Sequence, residues 1–331
     1  MNPFYLALGV GLLVVATVDL FWTTLWVDGG AGPVSARLST GIWQFMRRVS
    51  GRHTKVLSLA GPLILVSTLL TWVGLLWAGW TFCFAGGEAS LIDTSDGGTA
   101  TWVGRTYFVG YSMFTMGNGD YTPSSPIWEI AASLTTASGM VFVTLGVSYV
   151  LNVLEAVVDK RSFASSVTGL GKRSESFVAT GWDGDRFDGF EVPMNALASD
   201  LDRLAEQHQA YPILHYYYSD RAATSSALAV AVFDDATTLL ECGVPEKHRP
   251  NQVLLTSARA SVQSYLHTLH TAFITEADDP PPSPSLDRLR EAGVPTVSKD
   301  AFDETMRTRT DRRRKLLGMV AADAREWPPV N

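Results

Sequence analysis

The chain of 331 residues has too few charges, too unevenly placed, for an ordinary soluble protein. Charged residues make up 18% of it, against about 25% in average soluble domains. Residues 156–331 hold 20 of the 26 Lys and Arg and 25 of the 33 Asp and Glu. The charge-poor first half is therefore suited to a lipid bilayer, and the charged second half is suited to water. A net charge of −7 argues against a nucleic-acid partner, and two cysteines exclude a disulfide scaffold.

Three apolar stretches are long enough to cross a bilayer, for which about 20 residues suffice. The first runs from Pro3 to about Val27 with Asp19 as its only charge, an acid for which the sequence offers no obvious partner. The second runs from about Val56 to Ala85 without a charge, and the third covers about 127–153. The first is too long for a cleaved signal peptide, and no basic residue precedes it. A multi-pass membrane protein is predicted.

Basic residues set the expected orientation. They lie between the first two spans and after the third: Arg37, Arg47, Arg48, Arg52 and Lys55, then Lys160, Arg161, Lys172 and Arg173. The segment between the second and third spans is acidic, with Arg105 as its only basic residue. Because positive residues stay on the cytoplasmic side, we expect a plasma-membrane protein with its N-terminus outside and its C-terminal domain in the cytoplasm.

Residues 28–55 form a basic amphipathic segment. Its apolar residues recur at steps of three and four: Leu38, Ile42, Phe45, Met46 and Val49. A helix of this kind is suited to the inner membrane face, with its basic residues on anionic lipid head groups. It is equally suited to packing on a neighbouring subunit. Both interpretations stay open at this stage.

The segment 105–123 is apolar for about ten residues, too short to span, and then contains Gly117 and Gly119. This pattern predicts a re-entrant helix followed by an extended loop. Irregular backbone at membrane depth is tolerated only where it is buried in protein or lines a water-filled cavity. The two glycines permit the unusual dihedrals that turn successive carbonyls to one side.

The run Thr115-Met116-Gly117-Asn118-Gly119-Asp120, followed by Pro123, resembles the selectivity filter of tetrameric potassium channels, usually Thr-Val-Gly-Tyr-Gly-Asp. The resemblance covers about residues 56–155, as a pore module of two spans around a pore helix and filter. It implies a homotetramer that conducts a cation, with potassium as the expected ion, and is not an enzyme. The cation would bind the backbone carbonyls of Thr115, Met116, Gly117 and Asn118 and the Thr115 hydroxyl. Gly139 lies where the family carries a gating hinge, and no cofactor besides the permeant ion is implied.

Two departures from the family pattern leave other functions open. Asn118 replaces the tyrosine whose side chain braces the filter, and Met116 replaces a stiff valine. A loosened filter predicts a weakly selective monovalent channel. Amide oxygens of Asn118 with carboxylates of Asp120 would instead suit a divalent cation, although Asp120 has a structural role behind the filter mouth in the family. A non-conducting membrane sensor or scaffold is the alternative of another class.

The rest of the chain is predicted to be a linker over 156–192 and a helical cytoplasmic domain over 193–331. Predicted helices include one with Leu197, Leu201 and Leu204, one over 222–242, one from Pro250 to about Phe273, and a last one over 299–325. A basic run over 307–315 predicts a solvated helix face or an anionic-lipid contact. The predicted fold class is an all-α membrane protein: three transmembrane helices, a re-entrant pore helix with its filter loop, and an all-α cytoplasmic domain.

Overall fold

A computed structural model describes residues 1–50, 54–270 and 274–328, so Arg52 and Phe273 lie outside the described residues. The chain divides into two compact units. The membrane unit comprises Met1–Arg48 and Pro62–Val153, and the C-terminal unit comprises Val49–Gly61 and Leu154–Asn331. The described structure is nearly all helical, which confirms the predicted fold class.

The three predicted spans are helices. They are α1 (Pro3–Leu25), α4 (Ala60–Ala85) and α6 (Pro126–Leu170), with α2 (Pro33–Ser50) and the short α3 (Thr54–Leu57) between the first two. All three are long and apolar enough to cross a membrane. Helix α1 starts where it does because Pro3 suits the first turn and the Asn2 side chain accepts a hydrogen bond from the Phe4 N–H at 3.1 Å.

The pore region between α4 and α6 contains one helix and two short strands. Helix α5 (Trp102–Met113) is followed by the filter loop, and β1 (Leu91–Asp93) pairs antiparallel with β2 (Tyr121–Pro123). The sequence predicts only a polar outer loop where β1 lies. Three residues are too few to show the alternation that marks a strand, so the pairing of Asp93 with Tyr121 has no sequence signal.

Helix α6 is 45 residues long and runs without interruption from the membrane unit into the C-terminal unit. The predicted boundary at residue 155 therefore falls inside a helix. Much of the predicted linker over 156–192 is also helical, in α6 and in α7 (Ser174–Thr180). Phe163, Val167 and Phe177 are buried in the C-terminal core. Their burial outweighs the loop tendency of the Gly, Ser and Asp residues around them.

The C-terminal unit is a helical domain around one apolar core. Its further helices are α8 (Glu191–Ala210), α9 (Ser226–Thr238), α10 (Gln252–His270), α11 (Leu286–Glu291), α12 (Lys299–Arg307) and α13 (Thr310–Ala322). A 3₁₀ turn covers Pro212–Tyr216, and α9 widens into a π-helical turn over Leu239–Gly243. The last predicted helix is thus two helices with a break near Arg309. That break lets the Arg309 side chain reach Glu241 at 3.0 Å.

Candidate functional site

Helix α5 is fixed along its N-terminal half. Thr101 caps its N-terminus by accepting a hydrogen bond from the Gly104 N–H at 3.1 Å. Arg105 donates to the carbonyls of Glu88 (2.8 Å) and Gly87 (3.4 Å), which follow the end of α4. The Trp77 indole of α4 donates to the Thr106 carbonyl at 2.8 Å. The helix is therefore held firmly against α4, with its C-terminal end leading into the filter loop.

The filter loop has a backbone of alternating handedness. Thr115, Gly117 and Gly119 have φ values of 59°, 60° and 80°, whereas Met116 and Asn118 do not have positive φ. Residues of opposite handedness in alternation turn successive carbonyl oxygens to the same side of the chain. Glycine adopts such angles without penalty. At a β-branched residue such as Thr115 they cost about 1–2 kcal/mol, and strain of this kind concentrates at functional sites.

Four carbonyls of this loop accept no hydrogen bond from the part of the chain that the structure describes. Among the described residues, no hydrogen bond ends on the backbone oxygens of residues 115–118. The next two carbonyls are anchored instead. Thr94 of the outer loop donates its hydroxyl to the Gly119 oxygen at 3.2 Å and its N–H to the Asp120 oxygen at 3.0 Å. The outer end of the loop is thus pinned, and the four carbonyls before it stay available as ligands for a cation.

Asn118 is held from behind by hydrogen bonds. Its side-chain amide donates to the Tyr107 hydroxyl at 2.5 Å, and that hydroxyl donates to the Asp120 carboxylate at 3.0 Å. We call Tyr107, Asn118 and Asp120 the filter brace. The sequence predicts that Asn118 cannot pack as a tyrosine would. In place of that packing, the brace joins two filter residues, Asn118 and Asp120, through the hydroxyl of Tyr107 on the pore helix.

A second tyrosine of α5 holds the chain beyond the filter. The Tyr111 hydroxyl donates to the Tyr121 carbonyl at 3.0 Å, and the rings of Tyr107 and Tyr111 meet edge to face at 5.2 Å. The sequence leads us to expect Tyr107, Tyr111 and Phe114 near the filter, restoring part of the packing that Asn118 lacks. It does not predict the hydrogen bonds made by the two tyrosines. Their spacing of four along a helix, which puts them on one face, was the available signal. Nothing in the sequence marks Thr94.

Gly139 is a point of close approach between α6 and the pore helix. A Cβ at this position would collide with the backbone of Met113, including its carbonyl oxygen. Met113 ends α5 two residues before Thr115. Close packing is therefore a sufficient physical reason for this glycine. Its role as a gating hinge stays a prediction, and α6 is a continuous helix through it.

The basic run over 307–315 neutralises buried acids in the C-terminal unit. Arg312 and Arg259 bind Asp234 at 2.5 and 2.8 Å, and Arg313 pairs with Asp235. Burial opposes ionisation of Asp234, yet the arginines hold its pKa below the ordinary value. Burial raises the pKa of Asp235 to about 7 despite Arg313. These arginines of the run are used internally, in place of the predicted solvated or lipid-facing surface.

A short pore helix, a loop of alternating handedness and two flanking spans are typical of the pore module of an ion channel, and comparison with known proteins agrees. A family model described as an ion channel matches residues 64–156. A protein of Bacillus subtilis (strain 168), described as uncharacterized membrane protein YdjJ, is 42% identical over 328 residues, covering 99% of this chain and 96% of that protein. No solved structure matches the chain significantly. The chain belongs to the family of this Bacillus membrane protein, and it is a multi-pass membrane protein with an ion-channel pore.

Proposed function

We propose that the chain forms a homotetrameric, potassium-selective channel. The observation that carries this proposal is the alternation of positive φ at Thr115, Gly117 and Gly119 together with the four unused carbonyls of residues 115–118. Carbonyl oxygens in such a row replace the hydration shell of a permeant cation. No covalent step is involved, so the activity is transport rather than catalysis.

Four copies around one axis complete the site. A single chain offers one row of carbonyls on one side of an ion, and its filter is open to solvent, with Met116 63% exposed. Closed rotational symmetry would bring identical rows together around the ion. The C-terminal end of α5 borders the filter, and the partial negative charge at that helix end favours a cation there.

The filter brace supports selectivity for potassium over weaker discrimination. A filter distinguishes two monovalent ions by the size of its cavity or by the field strength of its carbonyls. In either case we expect the carbonyls to need a fixed spacing. Asn118 alone would leave this wall soft. Its bond to Tyr107, and the bond from Tyr107 to Asp120, restrain the wall at two points. Asp120 accepts from Tyr107 behind the loop, which favours its structural role over that of a divalent-ion ligand.

The cellular location follows from the same proposal. We place the channel in the plasma membrane with the N-terminus outside and the C-terminal unit in the cytoplasm. The exposed Arg37, Arg47 and Arg48 follow α1, and the segment that carries the filter is acidic. This distribution supports the orientation.

The test is the reversal potential of the purified full chain in planar bilayers with potassium on one side and sodium on the other. We expect the reversal potential to shift from zero towards the potassium equilibrium potential, by about 59 mV for each tenfold preference for potassium over sodium. The control is Gly117→Ala, which places a Cβ at a φ of 60° and should abolish current without changing the assembly measured by gel filtration.

Each other result identifies one rival function. Cation current that reverses near zero would mean a weakly selective channel. Current carried only by calcium or magnesium would mean a divalent pathway. No current from the wild type, and none after Asn118→Tyr, would overturn the channel proposal in favour of a membrane scaffold.

A further inference from the structure

Helix α2 has three distinct faces. The first is buried and comprises Ser35, Ser39, Trp43 and Met46. The second is an apolar stripe directly beside it, comprising Leu38, Ile42, Phe45 and Val49. Phe45 and Val49 are each 62% exposed, so the protein leaves much of this stripe uncovered. The third face borders the stripe on its other side and carries the exposed Arg37 and Arg48. Arg47 is also exposed but lies beside the buried face.

A buried carboxylate fixes where α2 begins. Asp19 of α1 is fully buried and accepts hydrogen bonds from the Val34 N–H at 2.7 Å and the Ser35 hydroxyl at 2.5 Å. It also accepts from the Trp72 indole of α4 at 2.8 Å. A carboxylate at a helix N-terminus is favoured by the helix dipole. Asp19 therefore fastens α2 to both α1 and α4.

The fastening point places α2 at the edge of the membrane. Helix α1 has 23 residues and is about 34 Å long at 1.5 Å per residue, slightly more than the roughly 30 Å of bilayer hydrocarbon. Asp19 lies six residues before the end of α1, or about 9 Å. Interfacial amphipathic helices bury their apolar face about 5–10 Å into the boundary between head groups and acyl chains. The start of α2 lies at a matching depth.

The charges beside the stripe indicate which lipid it meets. Arg37 and Arg48 are eleven residues apart, about three helical turns, so they lie on one side of α2. Among the described ion pairs none includes Arg37, Arg47 or Arg48. The arginines of α13 differ, because Arg312 and Arg313 are paired with buried aspartates. Free cations that border an exposed apolar stripe at a membrane edge complement anionic head groups.

We infer that α2 is a binding surface for anionic phospholipid, with the stripe of Leu38, Ile42, Phe45 and Val49 in the head-group layer and Arg37 and Arg48 on lipid phosphates. This surface does not depend on conduction. Asp19 connects it to α1 and α4, so a bound lipid acts on the outer helix of the pore module.

The test is native mass spectrometry of the full chain, released from detergent micelles that contain equal amounts of phosphatidylglycerol and phosphatidylcholine. We expect the wild type to retain phosphatidylglycerol preferentially. The double variant Arg37→Gln/Arg48→Gln should lose roughly tenfold or more of that preference. The matched control is Arg186→Gln/Arg307→Gln, which removes the same charge from exposed positions of the C-terminal unit and should retain the preference.

The variant Phe45→Ser distinguishes between two occupants of the stripe, lipid and a neighbouring subunit. If lipid covers the stripe, this variant retains less phosphatidylglycerol and its oligomeric mass is unchanged. If a second copy covers it, the oligomer dissociates while lipid retention persists, and the inference is overturned. Equal phosphatidylglycerol retention by wild type and Arg37→Gln/Arg48→Gln would overturn it as well. All of these readouts are independent of current.

Discussion

Asn118 takes the position at which potassium channels with a similar filter usually carry a tyrosine. Its short side chain restrains the filter by hydrogen bonding instead of by packing. A tyrosine braces a filter by packing, which is insensitive to hydrogen-bond direction. The Asn118 amide instead donates to Tyr107, which donates to Asp120. The Tyr107 hydroxyl is the only atom that joins the other two members, so the rigidity of the filter depends on it.

Tyr107→Phe should weaken selectivity while leaving conduction. The variant keeps the ring contact with Tyr111 and loses both hydrogen bonds of the brace. A hydrogen bond to a charged group is worth about 1.5–3 kcal/mol, so we expect the potassium preference to fall roughly tenfold, a shift of about 59 mV in reversal potential.

The control is Tyr5→Phe on α1, where the described structure gives the tyrosine ring contacts only. An unchanged reversal potential in Tyr107→Phe would show that the brace does not set selectivity. Expression and gel-filtration profiles of the two variants should match, because each loses one hydroxyl group.

At the scale of elements, the C-terminal part of α6 is held within the C-terminal unit by polar contacts. Lys160 is 7% exposed, and its ammonium donates to the carbonyls of Leu214 (2.8 Å) and Tyr217 (3.2 Å). One residue earlier, Asp159 accepts from the Gln207 amide at 2.8 Å. Helix α6 is also the helix that follows the filter, so we expect a change in these contacts to alter channel opening.

Lys160→Met should uncouple the segment around 212–217 from α6. The two carbonyls lose their donor, and a buried polar group without a partner costs about 1–3 kcal/mol. We expect a lower unfolding midpoint of the C-terminal unit and an altered open probability, with an unchanged reversal potential, since the filter is untouched. Arg161→Met is the control, because Arg161 is the exposed neighbour of Lys160. An open probability equal to that of the control would contradict the coupling.

Sequence patterns predict those elements that local chemistry determines. The three spans are apolar runs, and the filter loop is marked by glycines at two of its three positions with positive φ. The linker prediction fails because Phe163 and Phe177 are buried by helices far away in the chain. Asp19 shows the same limit, since its partners are backbone N–H groups 15 residues later and an indole 53 residues later. Contacts between residues so far apart produce no periodic pattern in the sequence, so they cannot be predicted from helix or strand periodicity.

At the scale of the whole molecule, the two units have different requirements for neighbours. The C-terminal unit buries its apolar residues in its own core. The membrane unit leaves Val147 and Leu151 of α6 56% and 61% exposed, as expected for a helix that meets lipid or other copies. Under the proposed function, current depends on the number of copies that share one filter. A mixture of active and inactive chains measures that number.

Mixing wild type with Gly117→Ala at equal expression should reduce current to roughly one sixteenth, because only tetramers of four active chains would conduct. Chains that conduct singly would retain about half of the current, and pairs about a quarter, so either value would contradict the tetramer. Gly169→Ala is the control partner, since a Cβ there meets nothing within 4 Å and current should be undiminished. Two distinguishable tags on the chains establish that both are present in the purified oligomer. We expect so steep a loss because the proposed filter requires an intact row of carbonyls from each of its four chains.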